Sequence, residues 1–367
     1  MTDTVLTERA LNRALLARQL LLARASVGVS AAVERVAGLQ TQAPNPPYVG
    51  LWSRVAGFER AALERALAQR RVVRMALMRS TLHLVTARDA LAWRPLLATV
   101  GARGLQASRG KLLQGLDLAQ VAARAAVLLG ERPLNSALLG QALAEHWPDR
   151  DAEALAQVAR VHLPLAQLPP AGRWNEFHSA PLGVLTDWLR RPLDEASTLD
   201  ALVQRYLAAF GPAGPKDAQV WSGLTGLAPV FDCLRPQLKV FRDEAGRELF
   251  DLPRAPRPAP ATPAPIRFLP EWDNLLLSHA ERGRVMLAAH KAQVFTANGI
   301  IRATVLLDGF VHATWSVDTT ASAAVLRVRP LGDGFSRAQQ RELADEGHRL
   351  LAFIAPGART DVELKRG

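Results

Sequence analysis

Apolar residues recur at helical spacing from the first turns of the chain. Leu11, Leu15 and Leu22 lie on one stripe behind Thr7, whose hydroxyl suits an N-cap. Further helices are predicted at "SAAVERVAGLQTQ", entered through Ser30, and at "ERAALERALAQR". Strands are then predicted at "VVRMALM" and "LHLVTA", joined by the polar turn Arg79-Ser80-Thr81. The same order returns from Asp117. Helices are expected at "DLAQVAARAAVLLG", "NSALLGQALAEHW" and "DAEALAQVARVHLPLAQL", with Asn135 and Asp151 as N-caps. A turn at "PPAGRWNEFHS" and a short strand near "APLGVL" follow. It returns again near Ser197, with "STLDALVQRYLAAFG", "PKDAQVWSGL", "GLAPVFDCLRPQ" and the hairpin "LKVFRDEAGRELFDL".

Next comes "PRAPRPAPATPAP", with six prolines in thirteen residues, which reads as an extended spacer. Beyond it, alternating apolar runs surround two turn signals, Asn298-Gly299 and Asp308-Gly309. A last helix is predicted at "SRAQQRELADEGHRLLAFI". The fold class is therefore α+β. Helices followed by a hairpin is the plan of a winged helix, in which a helix can enter the major groove of DNA and the hairpin a neighbouring groove. The predicted organisation is a first unit over 1–112, a second over 113–195 and a third over 196–252. The spacer over 253–265 leads to a β-rich domain with a terminal helix over 266–367. Some of these units can serve only to pack against one another.

The chain has 367 residues, half of them apolar, so a large core is affordable. Lys and Arg number 45 against 34 Asp and Glu, giving +11 and an isoelectric point of 10.9. That excess suits a polyanion, either nucleic acid or an acidic membrane face. A solubility charge with Arg in place of Lys explains it equally well. Cys233 stands alone, which excludes an internal disulfide and a cysteine zinc site. The start, "MTDTVLTERALNRALL", reads as polar and already helical, without the pattern of a secretory signal. Arginines interrupt every apolar run, so no membrane span is expected and the cytoplasm is the expected compartment.

Known catalytic signatures are missing. No Walker loop, G-x-S-x-G or H-E-x-x-H occurs, and no histidines fall at i, i+4, so neither a metal nor a cofactor is expected. His83, in a predicted strand beside the wing turn, reads as a structural or DNA-backbone contact. His279 reads as a helix-end hydrogen-bonder. Glu271 and Asp273, at i, i+2, read as a loop-anchoring pair.

One stretch stands out, "GLQTQAPNPPYVGLW". Gln40 and Gln42 would not share a face on a helix. On an extended segment they point the same way, and the prolines at 44, 46 and 47 favour that state before a rigid loop. Two amides supply two carbonyl acceptors and four N–H donors. They can hold a water or read a base edge. They can equally satisfy loop carbonyls at a helix C-terminus.

"LQTQAPNPPYVGLWSR" and "RMALMRSTLHLVTARD" resemble the AlkZ/YcaQ superfamily of winged-helix DNA glycosylases. So do "RYLAAFGPAGPKDAQVWSGL", "FLPEWDNLLLSHAER" and "LLDGFVHATW", in the expected order and nearly end to end. The resemblance implies three tandem winged helices in a C-shape with a C-terminal barrel-like β region. It implies catalysis by Gln40 and Gln42 as the Gln-x-Gln form of the motif, with Thr41 a mild departure from a small or apolar middle residue. It also implies release of cationic alkylated purines, and unhooking of interstrand crosslinks of the azinomycin kind in self-resistance. The expected partner is double-stranded DNA carrying such lesions, bound by a monomer without a cofactor. Arg79, Ser80, Thr81 and His83 are the expected DNA contacts. A noncatalytic winged-helix DNA-binding regulator is the alternative from another class.

Overall fold

The computed structural model describes residues 4–365. Its strands, in chain order, are β1 Val5–Leu6, β2 Leu39–Gln40, β3 Val72–Ala76, β4 Leu82–Thr86, β5 Leu165–Gln167, β6 Leu182–Val184, β7 Lys239–Asp243, β8 Glu248–Asp251, β9 Arg267–Leu269, β10 Thr304–Leu307, β11 Phe310–Thr319, β12 Ala323–Pro330 and β13 Arg359–Leu364. They form three sheets, ordered β2-β4-β3-β5-β6, β1-β7-β8 and β13-β12-β11-β10-β9. The fold is mixed α+β.

The helices form where capping and apolar spacing agree. Thr7 accepts from the Ala10 amide at 3.2 Å and starts helix Glu8–Arg18, which buries Leu11 and Leu15. Asn135 and Asp151 cap Ser136–Ala144 and Ala152–His162 as expected. Ser30 does not cap its helix; Gly28 stands at that N-cap, without a side-chain bond. The expected helical start lies partly on residues 1–3, outside those described; Val5–Leu6 is a strand, paired in parallel with β7.

Three further expectations are revised. Helix Ala152–His162 stops before Pro164, and "LAQ" becomes β5, because the residue before proline is pushed out of the α region. That strand pairs with β3, so the hairpins of the first two helical regions share one sheet. "PPYVGLWSR", read as part of a rigid loop, is a helix with prolines in its first turn, where a missing N–H costs nothing. The C-terminal region is not barrel-like. Its five strands form an open sheet between β9 and β13, and helix Arg337–Ile354 lays Leu343, Leu350 and Leu351 against Phe268, Val305 and Leu326. A helix that covers the apolar face removes the need for closure.

The 253–265 segment has no regular structure, as its prolines require, but it is strapped down. Arg9, Arg13 and Arg18, all on helix Glu8–Arg18, donate to the carbonyls of Pro260, Thr262 and Pro256 at 2.8, 2.6 and 3.2 Å. Arg18 also forms a bidentate pair with buried Asp251, at 2.8 Å to each oxygen. An aromatic core joins the third helical region to helix Ala87–Leu96, which follows β4: Tyr206 and Phe210 lie 5.3 and 5.9 Å from Trp221, and Trp93 meets Trp221 edge-on at 5.9 Å. The first sheet carries Gln40 on its edge strand, β2, with Gln42 two residues beyond the strand's end.

Candidate active site

The chain turns sharply into β2. Helix Val29–Arg35 ends, and Ala37 and Gly38 take positive φ of 55° and 87°. A Cβ on Gly38 would sit 2.7 Å from Val85 Cγ1, so both conformation and space require glycine there. The Gly38 carbonyl accepts from Asn274 Nδ2 at 2.9 Å. Behind it, Arg54 and Asp273 form a fully buried bidentate pair at 2.8 and 2.9 Å. Asp273 is thus an anchor, and Glu271 is half-buried with its carboxyl pushed up by desolvation.

Gln40 pairs in register with His83 on β4 and is only 7% exposed. Its Oε1 accepts from Arg79 Nη2 at 2.7 Å. Guanidinium has donors only, so this contact fixes the amide: oxygen toward Arg79, NH2 away. Arg79 Nη1 donates to the Trp221 carbonyl, and Nη2 stands 3.4 Å from His83 Nε2. No carboxylate faces this cation among the described residues, and burial lowers Arg79 to about 10. His83 is fully buried, and its Nδ1 meets the Thr81 carbonyl at 2.8 Å. Burial and then Arg79 lower it to about 3, so the ring is neutral.

The Arg79 turn is tight and strained. Arg79 and Ser80 have φ of 54° and 59°, a region non-glycine residues avoid at a cost on the order of 1–3 kcal/mol each. Gly223 closes over it; a Cβ there would lie 3.1 Å from Arg79 Cα. The third helical region thereby presses on the turn that orients Gln40.

Gln42 is exposed. Thr41 N donates to the Leu82 carbonyl at 2.8 Å, and Leu82 N returns a bond to Gln42 Oε1 at 3.3 Å, so the side chain extends the β2–β4 ladder by one rung. Thr41 is buried and held by Arg74, through Oγ1 at 3.1 Å and the carbonyl at 2.7 Å. Both glutamines therefore reach the 79–82 segment, while Thr41 is held by β3.

The expected DNA contacts separate. Ser80 is exposed, and Thr81 Oγ1 bonds Met78 O at 3.1 Å. His83 and the Arg79 guanidinium instead face inward, because the turn folds back under Trp221. His279 is also buried, between Ser278 Oγ at 2.8 Å and the Phe210 carbonyl at 3.1 Å. Beside Ser80 lies a groove of about 280 Å³ whose wall includes Gly101, Gly104 and Arg160. Arg160 has no carboxylate partner among the described residues. Sequence reading missed Arg74, the Trp221 carbonyl and the inward role of Arg79. It also missed the pairing of Asn45 with Asn175: Asn45 Nδ2 donates to Asn175 Oδ1 at 2.7 Å, and the Asn175 backbone N–H donates to Asn45 Oδ1 at 2.8 Å.

A family model described as DNA glycosylase AlkZ-like matches residues 33–353. An interstrand DNA cross-link repair glycosylase of Streptomyces sahachiroi is 26% identical over 325 residues, covering 82% of this chain and 85% of that protein. The solved structure of Streptomyces sahachiroi DNA glycosylase AlkZ has a TM-score of 0.82 to this chain at 20% identity, over 99% of this chain and 100% of that one, which shows a shared fold. With the family model spanning most of its length, the chain belongs to the AlkZ-like family of DNA glycosylases.

Proposed function

We propose that this protein is a monofunctional DNA glycosylase that releases cationic alkylated purines, N7-alkylguanine above all, from double-stranded DNA. Its natural lesions are interstrand crosslinks left by a bis-alkylating natural product of the azinomycin type. One observation carries the reading: two neutral amides stand two residues apart at one sheet edge, both bonded to the 79–82 segment, Gln40 held by Arg79 and Gln42 open to solvent.

The chemistry follows from the leaving group. Alkylation at N7 makes guanine cationic, so it departs neutral with the electrons of the C1′–N9 bond and needs no added proton. Positive charge builds on the sugar, as in glycoside hydrolysis. Water then attacks C1′, its proton passes to solvent, and an abasic site remains. The protein must place that water and direct dipoles at the sugar. Gln40, its oxygen engaged by Arg79, offers N–H donors; the Gln42 carbonyl keeps a second lone pair to accept from the water. No lysine lies near the motif in sequence; the nearest is Lys111, so no Schiff-base strand cleavage is expected.

The helical regions with hairpins β3–β4, β5–β6 and β7–β8 act, in this reading, as three tandem winged helices in a C-shape, over 1–112, 113–195 and 196–252. The protein works as a monomer in the cytoplasm, where bacterial DNA lies. The Ser80 hydroxyl and Arg160 meet phosphates in the groove where two glycines admit a close approach, with the Thr81 hydroxyl beside Ser80 in sequence.

The test is incubation of purified protein with a duplex containing N7-methylguanine, followed by hot alkali and a denaturing gel. Alkali-dependent cleavage at the lesion, and none without alkali, is expected. Uracil, 8-oxoguanine and guanine should stay in place, because neither amide activates a poor leaving group. Tight binding with no abasic site would favour a noncatalytic DNA-binding protein.

A further inference from the structure

The segment after Gln42 forms one lip of a second groove, of about 540 Å³, that the hydrolysis does not use. Asn45 and Pro46 lie on that lip, and the three residues from Gln42 to Asn45 span at most about 11 Å. Trp174 and Trp315 both line the groove. Both indoles are held in place. Arg60 sits 4.0 Å from the Trp174 ring centroid, with Tyr48 and Phe353 edge-on at 5.4 and 5.8 Å. Trp315 Nε1 donates to the Leu269 carbonyl at 2.9 Å, and its ring meets Phe268 edge-on at 5.8 Å. With its N–H engaged, the Trp315 ring offers apolar contact.

The lining disfavours the DNA backbone as occupant, in contrast to the adjoining groove that shares Glu271 and Trp315 and carries Arg302, Arg327, Arg329 and Lys365. In a chain of net charge +11, no Lys or Arg lines the groove beside Asn45. Its one ionisable group is Glu271, which has no cationic partner among the described residues. A phosphate would meet a carboxylate and two indoles. A neutral or cationic aromatic group would meet stacking faces and a few polar groups at the rim, the composition of small-molecule sites of this size.

We propose that this groove binds the aromatic or apolar body of the alkylating agent while the base that carries it sits at Gln40 and Gln42. The inference rests on the glycosylase reading. It explains how the site at the glutamines would select a bulky adduct: the agent supplies the binding surface, and the charged base supplies the leaving group. A methyl lesion uses only the second.

Single-turnover release, measured across enzyme concentrations, tests this on two otherwise identical duplexes. One carries N7-methylguanine, the other an N7-guanine adduct with a bicyclic aromatic substituent. Wild type should half-saturate on the aromatic adduct at about tenfold lower concentration, the scale of one stacking contact. Trp315→Ala should abolish that preference and leave methylguanine release within about twofold. Thr319→Trp, at an exposed position on the groove, should fill the space and do the same. Equal half-saturation by wild type overturns the proposal, as does a preference that survives Thr319→Trp; a groove built for a protein partner would give either result. Loss of both activities in Trp315→Ala marks misfolding, and Thr319→Trp then decides. A wild type that releases neither base sinks the glycosylase reading itself.

Discussion

Replacing Arg79 separates positioning of Gln40 from DNA binding. Arg79→Met keeps the length of the side chain and removes its donors. The Gln40 and Trp221 carbonyls then lose a charged partner, at about 1–3 kcal/mol each. Against this, burial holds the guanidinium at about 10 instead of 12.5, so deleting the charge recovers roughly 3 kcal/mol. Together the losses, about 2–6 kcal/mol, are offset in part or whole by this gain, and the melting temperature should move by only a few degrees. The rate should not be spared. If the freed amide spends a tenth to a hundredth of its time in the working orientation, single-turnover release of N7-methylguanine falls about 10- to 100-fold, or about 1.4–2.7 kcal/mol of barrier. Half-saturation by duplex should stay within about threefold. Arg79→Lys should not restore the rate, because one ammonium cannot span both acceptors. The reasoning is refuted by an unchanged rate. A salt slope of binding reduced by about one, with weaker affinity, would instead make Arg79 the phosphate contact expected from sequence.

Gln40→Ala and Gln42→Ala should each slow excision by up to about 2.7–4 kcal/mol of barrier while duplex affinity holds; wild-type rates in both would remove them from the mechanism. Acid should destabilise the fold through His83. Unfolded, it titrates near 6.5, and folded near 3, so the unfolded chain binds the extra proton between these values. Stability should be level above pH 7 and fall as pH drops below 6.5, with His279 acting in the same direction. Thermal melts from pH 8 to 5 check this, and His83→Gln should flatten the slope. Asp273→Ala leaves Arg54 buried and unpaired and should cost about 3–5 kcal/mol in urea unfolding; a loss under 1 kcal/mol would mean that water reaches the pair.

Local chemistry was legible in the sequence where one short stretch decides the outcome. The caps at Thr7, Asn135 and Asp151 are such cases. So is the Asp308-Gly309 turn, whose φ of 48° and 83° joins β10 to β11. What escaped depends on partners distant in the chain. Arg79 is an exposed-looking turn arginine until Trp221, 142 residues later, supplies a carbonyl beneath it. Strand β13 gained its place by parallel pairing with β12 across the terminal helix, a contact no local pattern announces. The prolines in the first turn of helix Pro46–Arg54 misled for a different reason: proline ends helices and begins them, and only the following apolar face tells which.

The burial difference between the two glutamines predicts that they will not tolerate the same carboxylate. At position 40 a carboxylate would face Arg79 across 2.7 Å in a site where that cation has no other counter-charge. Gln40→Glu should therefore form a buried ion pair, with its carboxyl held below the ordinary range, and the fold should be as stable as wild type or more so. It would also lose both N–H donors, since an ionised carboxylate only accepts. The water then loses one of its two holders, and excision should fall about 100-fold at pH 7 in a well-folded protein. At position 42 the side chain is exposed and bonded only by the Leu82 amide, an acceptor role a carboxylate can keep. Gln42→Asp should retain release of N7-methylguanine, since negative charge near the sugar favours the cation forming there, while release of a crosslink can fall if Gln42 also orients the bulk of the adduct. Melting curves and single-turnover rates of the two variants, side by side, give the comparison. Equal activity of Gln40→Glu and wild type would show that Gln40 works through an acceptor, and the division of roles between the two amides would have to be reversed.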